Sequence, residues 1–592
     1  VRLGAVVLHE PMLAIANQYD MVRTGSCVGL YPDLPADKRH AATPQAPLER
    51  YRLDARIPGE CYLGSETLLA AAVVAKHRVL DTPDAAFPAL REIGLLKLVI
   101  AGVGILALAA AFWPFPVASV VHGATAFLVM ADPVVSLWMQ TLYTEFPVLF
   151  GAYFLMGALG AGLLREVLPR WLAMIAGTGI VMVALAKEQF FLLPLLLVAA
   201  AAPGLWVASR RPVIVLATLA ALAVAWHALV PRSPSIAYAN RADTYLGVVL
   251  PASADRGATL SKLGLSEPCG QLSGATWYLT RGANLHEECP EVLALRSTAF
   301  LTLAFSEPRT LARAVARVAP STQNPLPGNI GMVAREPLGT IATKPWWLRS
   351  IWVPAAMLLP AAWYLGLVLF GLALVFPALV FWAATLRRGP DADAHPFAAH
   401  GLMLVLVVCY SMATTVFGDG LAESARHNLP GFVAMAAIAV FVPFALDGIG
   451  RVGPWLRVAV GVACVAAIAG AAWATVWALR QPIAIGVLDA PPGREVSPQG
   501  FLLRGWALDP LRVRAIRIRV GDQEAKLGRD AFFPSPELSR IYGGYPDAKF
   551  ANFEFAVPAA WLAMPQVPLR IEAENEAGVV SVFDERRLRP VP

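Results

Sequence analysis

Gly418-Asp-Gly-Leu-Ala-Glu-Ser-Ala-Arg-His427 separates two almost uncharged runs, at roughly 397–417 and 428–447, each long enough to cross a bilayer. Four ionisable side chains stand within ten residues, between stretches that carry almost none. Charge beside a bilayer is expensive and tends to be retained for function. Read outward from this stretch, the chain repeats the pattern. Further apolar runs lie at roughly 94–114, 117–138, 143–164, 170–186, 188–207, 212–230, 356–386 and 455–478. The 117–138 run is interrupted near its end by Asp132 and Pro133.

Composition agrees. The 592 residues are 57% hydrophobic and 15% charged, with a mean hydropathy of +0.57, whereas soluble domains are about 25% charged. The expected fold is a polytopic α-helical membrane protein of about ten spans. The net charge of +6 does not point to nucleic acid, because the arginines form no basic tract. They fall in short loops, at Arg165 and Arg170, Arg210 and Arg211, Arg387 and Arg388, and Arg451 and Arg457. Alternation of ten spans puts all four loops on one side, which is then cytoplasmic.

The remaining loops face outward. They include the N-terminal region with its first outer loop (1–93), the 231–348 loop and the 418–427 loop, with helices at 94–230 and 349–481 between them. Trp346 and Trp347 suit an interfacial aromatic belt before the next span. Cys27 and Cys61 lie in the N-terminal region and Cys269 and Cys289 in the 231–348 loop. Outside, they are expected to form two local disulfides; Cys409 and Cys464 sit within apolar runs as small core residues. The stretch Leu3 to Ala16 reads as the end of a first helix whose beginning is missing. Beyond about residue 482, alternation in Ala515-Ile-Arg-Ile-Arg-Val520, Phe553-Glu-Phe555 and Leu569-Arg-Ile571 predicts a small β-sandwich over 482–592.

This topology places Asp20, Glu145, Lys187, Glu188, Asp419, Glu423, Arg426 and His427 on one face. Asp20, in Asn17-Gln18-Tyr19-Asp20 with Arg23 beyond it, stands at the boundary where a carboxylate can take a proton from an acceptor hydroxyl. A helix cap is its structural alternative. Glu145 begins an otherwise uncharged helix, where the N-terminal dipole favours an acid. Lys187-Glu188 either neutralises itself or offers a compact cation to a lipid-linked phosphate. Arg426 and His427 offer donors for a phosphate leaving group, with Asn428 as the expected N-cap of the next helix. HExxH, CxxC, P-loop and GxSxG motifs are all missing.

These segments resemble the GT-C glycosyltransferases. Asn17-Gln18-Tyr19-Asp20 with Arg23 resembles the acidic segment of the family's first outer loop. Thr144-Glu145-Phe146-Pro147 resembles its acidic helix start, Ala186-Lys187-Glu188-Gln189 its charged turn, and Glu423-Ser-Ala-Arg-His427 the Glu-x-x-Arg-His/Tyr segment before a late helix. The chain departs from the family in its absent or truncated first helix and its single boundary Asp. Gly505-Trp506-Ala507-Leu508-Asp509 resembles a strand of small Ig-like domains from bacterial cell-surface proteins, with Trp506 either a core residue or a carbohydrate platform. The resemblance implies a bacterial inner-membrane enzyme that moves a sugar from a polyprenyl-phosphate donor to a cell-surface glycan, lipid or protein. Asp20 and Glu145 would be catalytic, and Lys187, Arg426 and His427 would hold the donor phosphate. A divalent cation, Mg or Mn, serves some relatives; no residue pattern here demands one. A flippase of lipid-linked glycans and a membrane-anchored glycan-binding protein are the competing expectations.

Overall fold

The computed structural model describes residues 2–14, 19–40, 48–55, 61–80, 86–229, 234–277, 285–295, 299–326, 332–333, 349–386, 392–418, 420–491 and 493–591. Asn17, Trp346, Trp347, Arg387, Arg388 and Asp419 lie outside the described residues, as does the side chain of Asp20.

Among the described residues, seven helices are long and apolar enough to cross a membrane, and eight if the bent pair Pro116–Met130 and Pro133–Gln140 counts as one span. The protein is a multi-pass helical membrane protein. Helix Glu145–Leu164 is its axis, with 89% of its apolar window buried, against 22% for Pro454–Leu479. On that peripheral helix Trp455, Val462, Ile468 and Trp473 are exposed, as lipid-facing side chains must be. Small residues let the central helices approach. A Cβ on Gly179 would stand 2.5 Å from the Gly151 carbonyl oxygen, so helices Glu145–Leu164 and Arg170–Ala184 pack backbone to backbone.

Four apolar runs fold differently from their sequence boundaries. The run at 117–138 bends by 63°. Asp132 there leaves the helical path and accepts from Val134 N (3.0 Å) and Ile351 N (2.8 Å). The runs at 188–207 and 212–230 meet within one element, Leu193–Leu229, broken at Ser209 (φ −137°, ψ 33°) with Pro203 and Pro212 inside. Proline at 212 removes an intrahelical donor, and the Ser209 hydroxyl accepts from Leu168 N at 2.7 Å instead. The 356–386 run divides into Ala361–Ala373 and Val375–Thr385.

The C-terminal region is β-rich. One sheet runs Phe532–Phe533, Asn552–Pro558, Gly500–Leu508, Ile485–Ala490; a second runs Glu495–Val496, Val580–Pro590, Val567–Asn575, Val513–Val520, Gln523–Gly528. Neighbours are antiparallel except Glu495–Val496 with Val580–Pro590. Leu503 and Phe553 from the first sheet join Ile516, Ile518, Leu569, Ile571 and Phe583 from the second in one core. Alternation puts these apolar side chains inward and Arg517 and Arg519 outward. The region docks on the rest of the chain through Arg256–Glu585 (2.8 Å), Arg494–Glu288, and the Ala361 N–H donated to Gly544 O (2.7 Å). Trp506 lies at this junction, 5.9 Å from the Tyr542 ring and packed beside Ala361 and Leu421. It is neither a core residue of the two sheets nor an open platform.

Candidate active site

The site forms where the ends of several helices meet beneath the N-terminal region. Helix Ser65–Val79 is hung there by its first residue: Ser65 N donates to Leu185 O and Ser65 Oγ to Met182 O, both at 2.8 Å. Gly64 carries no Cβ because the Leu185 carbonyl would be 2.7 Å from it. Upstream, helix Tyr19–Ser26 is tied to the same place by the Cys27–Cys61 disulfide and by Tyr62 N donating to the Arg23 carbonyl (3.1 Å). The structure also pairs Cys269 with Cys289. A Cβ on Gly25 would touch Leu142 at 3.6 Å, which sets the helix bearing Asp20 against the segment that leads into Glu145.

Two buried ion pairs lie side by side. Glu66 and Lys97 are 2.7 Å apart with both side chains wholly buried. Lys97 Nζ also donates to the Thr141 carbonyl (2.8 Å) and sits 5.1 Å from the Phe146 ring centre. Burial pushes the Glu66 carboxyl up, to about 7, against the opposing pull of Lys97; the charge of Glu145 adds to the rise. The second pair joins Arg426 Nε to Glu145 Oε1 at 3.5 Å, and Arg426 Nη2 also meets Glu423 Oε2 at 2.8 Å. Its guanidinium stands 4.8 Å from the Tyr143 ring centre. Charges of alternating sign thus run Glu66, Lys97, Glu145, Arg426, Glu423.

A third group flanks them. Lys187 Nζ is 3.4 Å from the His427 ring nitrogens, and His427 Nδ1 is 2.9 Å from Gln189 Oε1. A proton on Nδ1 satisfies Gln189 and leaves Nε2 to accept from the lysine. Lys187 therefore turns to His427 across 240 residues of sequence. Glu188 begins a short 3-10 helix, Glu188–Phe190.

The loop that supplies Arg426 is held tightly. Gly420 adopts φ +59°, and a Cβ there would stand 2.4 Å from the Asp243 carbonyl oxygen. Glu423, at φ 45°, is a left-handed non-glycine residue of the kind that concentrates at functional sites. Ser424 Oγ lies 2.7 Å from Ser321 Oγ, and Asn428 Nδ2 donates to Thr322 Oγ1 at 3.3 Å. Asn428 occupies the N-cap position of Leu429–Gly450, but its side chain makes no cap hydrogen bond. It braces the outer-loop helix instead.

Below this cluster an apolar cleft, partly open to the outside, runs between the helices. One end is lined by Met130, Leu149 and Pro430, within a turn or so of Glu145 and Arg426. The other reaches Leu164, Pro396 and Phe444.

Of the residues singled out in the sequence, Glu145, Lys187, Glu423, Arg426 and His427 come together, with Glu188 beside them. Arg23 contributes its carbonyl to the scaffold. Sequence reasoning missed Glu66, Lys97, Tyr143 and Gln189. Lys97 did leave a signal, as the one charge within the 94–114 run. No family model matches the chain, and no curated protein or solved structure with which it was compared does either.

Proposed function

We propose that the protein is a membrane glycosyltransferase of the GT-C type, using a polyprenyl-phosphate sugar. The observation that carries this reading is the convergence of Glu145, Lys187, Arg426 and His427 near one end of an apolar cleft, whose lining includes Leu149 and Pro430. A donor with a charged head and a hydrocarbon tail needs both kinds of surface within one molecule's length. Two cationic side chains and an imidazole suit the departing phosphate; the cleft suits the isoprenoid.

In this mechanism the acceptor oxygen bonds to the anomeric carbon as the bond to the lipid phosphate breaks. Asp20 takes the hydroxyl proton, and the phosphate leaves as an anion held by Arg426, His427 and Lys187. Glu145 orients Arg426 and a sugar hydroxyl. The reading includes ten spans and a C-terminal Ig-like sandwich. The cluster and the sandwich face outward from a bacterial inner membrane. The Cys27–Cys61 disulfide ties down the helix that bears Asp20, and Arg165 and Arg457 donate to the Ala111 and Gly450 carbonyls at the C-terminal ends of two of the apolar helices.

The test is transfer from radiolabelled polyprenyl-phosphate sugars into membranes. Product that requires both Asp20 and Arg426, lost in Asp20→Asn and Arg426→Ala, is the expected result. Transfer that survives Asp20→Asn removes the base assignment. If no donor yields product while lipid-linked glycan crosses the bilayer, the protein is a transporter instead.

A further inference from the structure

Three arginines are buried among the described residues: Arg317, Arg426 and Arg586. Arg426 meets Glu145 and Glu423, and Arg586 meets Asp584. Arg317, near the end of helix Pro308–Val318, has no such partner among the described residues. Its side chain is 2% exposed, and its Nε and Nη1 make no hydrogen bond. Burial pulls the guanidinium down to about 10, so it stays charged at neutral pH; its ionisable neighbour is the Tyr545 phenol.

The surroundings are short of partners too. Tyr545 is 3% exposed with its hydroxyl unsatisfied. The Gln323 amide nitrogen is committed to the carbonyls of Ala356 and Leu359, both at 2.7 Å, which leaves Oε1 turned to Gly544 without a hydrogen bond. All lie along one seam: Gln323 stands against Gly544, Asn324 Nδ2 donates to the Arg540 carbonyl at 3.2 Å, and Arg317 faces Tyr545, so the end of helix Pro308–Val318 and the residues after it meet the 540–545 segment of the β-region. Buried polar groups are normally satisfied and buried charges paired. Water could take up the open hydrogen bonds but would leave the charge uncompensated.

We propose that Arg317 and Tyr545 form the donor side of an enclosed anion site, halide-sized, in the seam between helix Pro308–Val318 and the C-terminal β-region. The size follows from burial: Arg317 and Tyr545 are 2% and 3% exposed, and Ala316 and Val318 on either side of the arginine are almost wholly buried, which suits a small anion and not one carrying a tail. A spherical anion also accepts from N–H and O–H donors without a directional demand. Ser321, one turn beyond Arg317, is the residue that braces Ser424. The bound anion therefore fastens the β-region to the element that supports the Arg426 loop. This inference does not depend on the reaction the protein catalyses.

The experiment uses the full chain in detergent. Thermal melting is followed as sodium chloride replaces sodium gluconate at constant ionic strength, up to roughly 0.5 M. The wild type should melt about 2–4 °C higher in chloride. Arg317→Met should lose that difference while melting no lower than wild type in gluconate, because an unpaired buried charge has been removed. Crystals of the wild type grown in sodium bromide should show an anomalous peak beside Arg317, a readout that stands even if the variant fails to fold. Equal melting in the two salts, or no bromide at the seam, would overturn the proposal.

Discussion

Charge is used in opposite ways by the two halves of this molecule. In the helical part the ion pairs at the candidate site are buried and assembled from distant stretches, as in Glu66 with Lys97 and Glu145 with Arg426, while others, such as Arg451 with Asp447, stay exposed. In the β-region, Arg586 with Asp584 apart, at least one partner of each pair is partly exposed, and many pairs join strand neighbours, as in Arg519 with Glu524 at 2.9 Å and Arg504 with Glu554. The same chemistry therefore carries different weight. A buried pair lacks water to replace a lost partner, whereas an exposed one trades its partner for solvent at little cost. Burial and separation in sequence, not the number of ion pairs, set the candidate site apart.

The contrast is broken most directly at Lys97. Lys97→Ala leaves Glu66 and the Thr141 carbonyl buried without their cation, and should destabilise the protein by about 3–5 kcal/mol. The double variant Lys97→Met with Glu66→Leu should recover most of that loss, measured by thermal melting in detergent. If the single and double variants melt alike, the pair is not the isolated buried unit described above.

Next in size is the covalent tie that holds helix Tyr19–Ser26 over the cluster. Cys27→Ser opens a link between residues 34 apart in sequence and should cost about 2–4 kcal/mol. Melting with and without reductant checks this, with the reduced wild type approaching the variant.

A smaller effect separates the halves by pH. Glu66 has its carboxyl raised by burial from 4.5 to about 7. The folded state therefore holds a proton that the unfolded state has released between these values, and the contribution of Glu66 to stability falls as pH rises through that window. Melting temperatures across that range should show a downward trend in wild type that Glu66→Gln flattens. An unchanged slope in the variant would mean that Glu66 titrates normally.

The smallest effect belongs to the β-region. Arg519→Ala should change stability by under about 0.5 kcal/mol, because its pair with Glu524 is exposed on both sides. A loss comparable to that of Lys97→Ala would dissolve the contrast altogether.

The local patterns were legible before any fold was known. Uncharged runs announced helices because a bilayer leaves no alternative for a long apolar segment. Alternation over Ala515 to Val520 announced a strand because successive side chains point to opposite faces. Glu145, Lys187, Arg426 and His427 were conspicuous because so little else near those runs is charged. Three features escaped. Ser209 breaks a helix that Pro212 makes only breakable. Asn428 stands at an N-cap yet serves Thr322. Glu66 belongs to an ordinary polar stretch, and its importance comes from its neighbour.

By itself, then, the sequence determined the membrane class, the β-rich C-terminal region and the residues expensive enough to matter, because each follows from local composition and period. Only the tertiary structure decided which charges face one another. Lys187 meets His427, Glu66 meets Lys97, and Arg317 meets no carboxylate among the described residues. The reason is physical: the cost of burying a charge depends on what lies within a few ångströms in space, and sequence spacing does not record that distance.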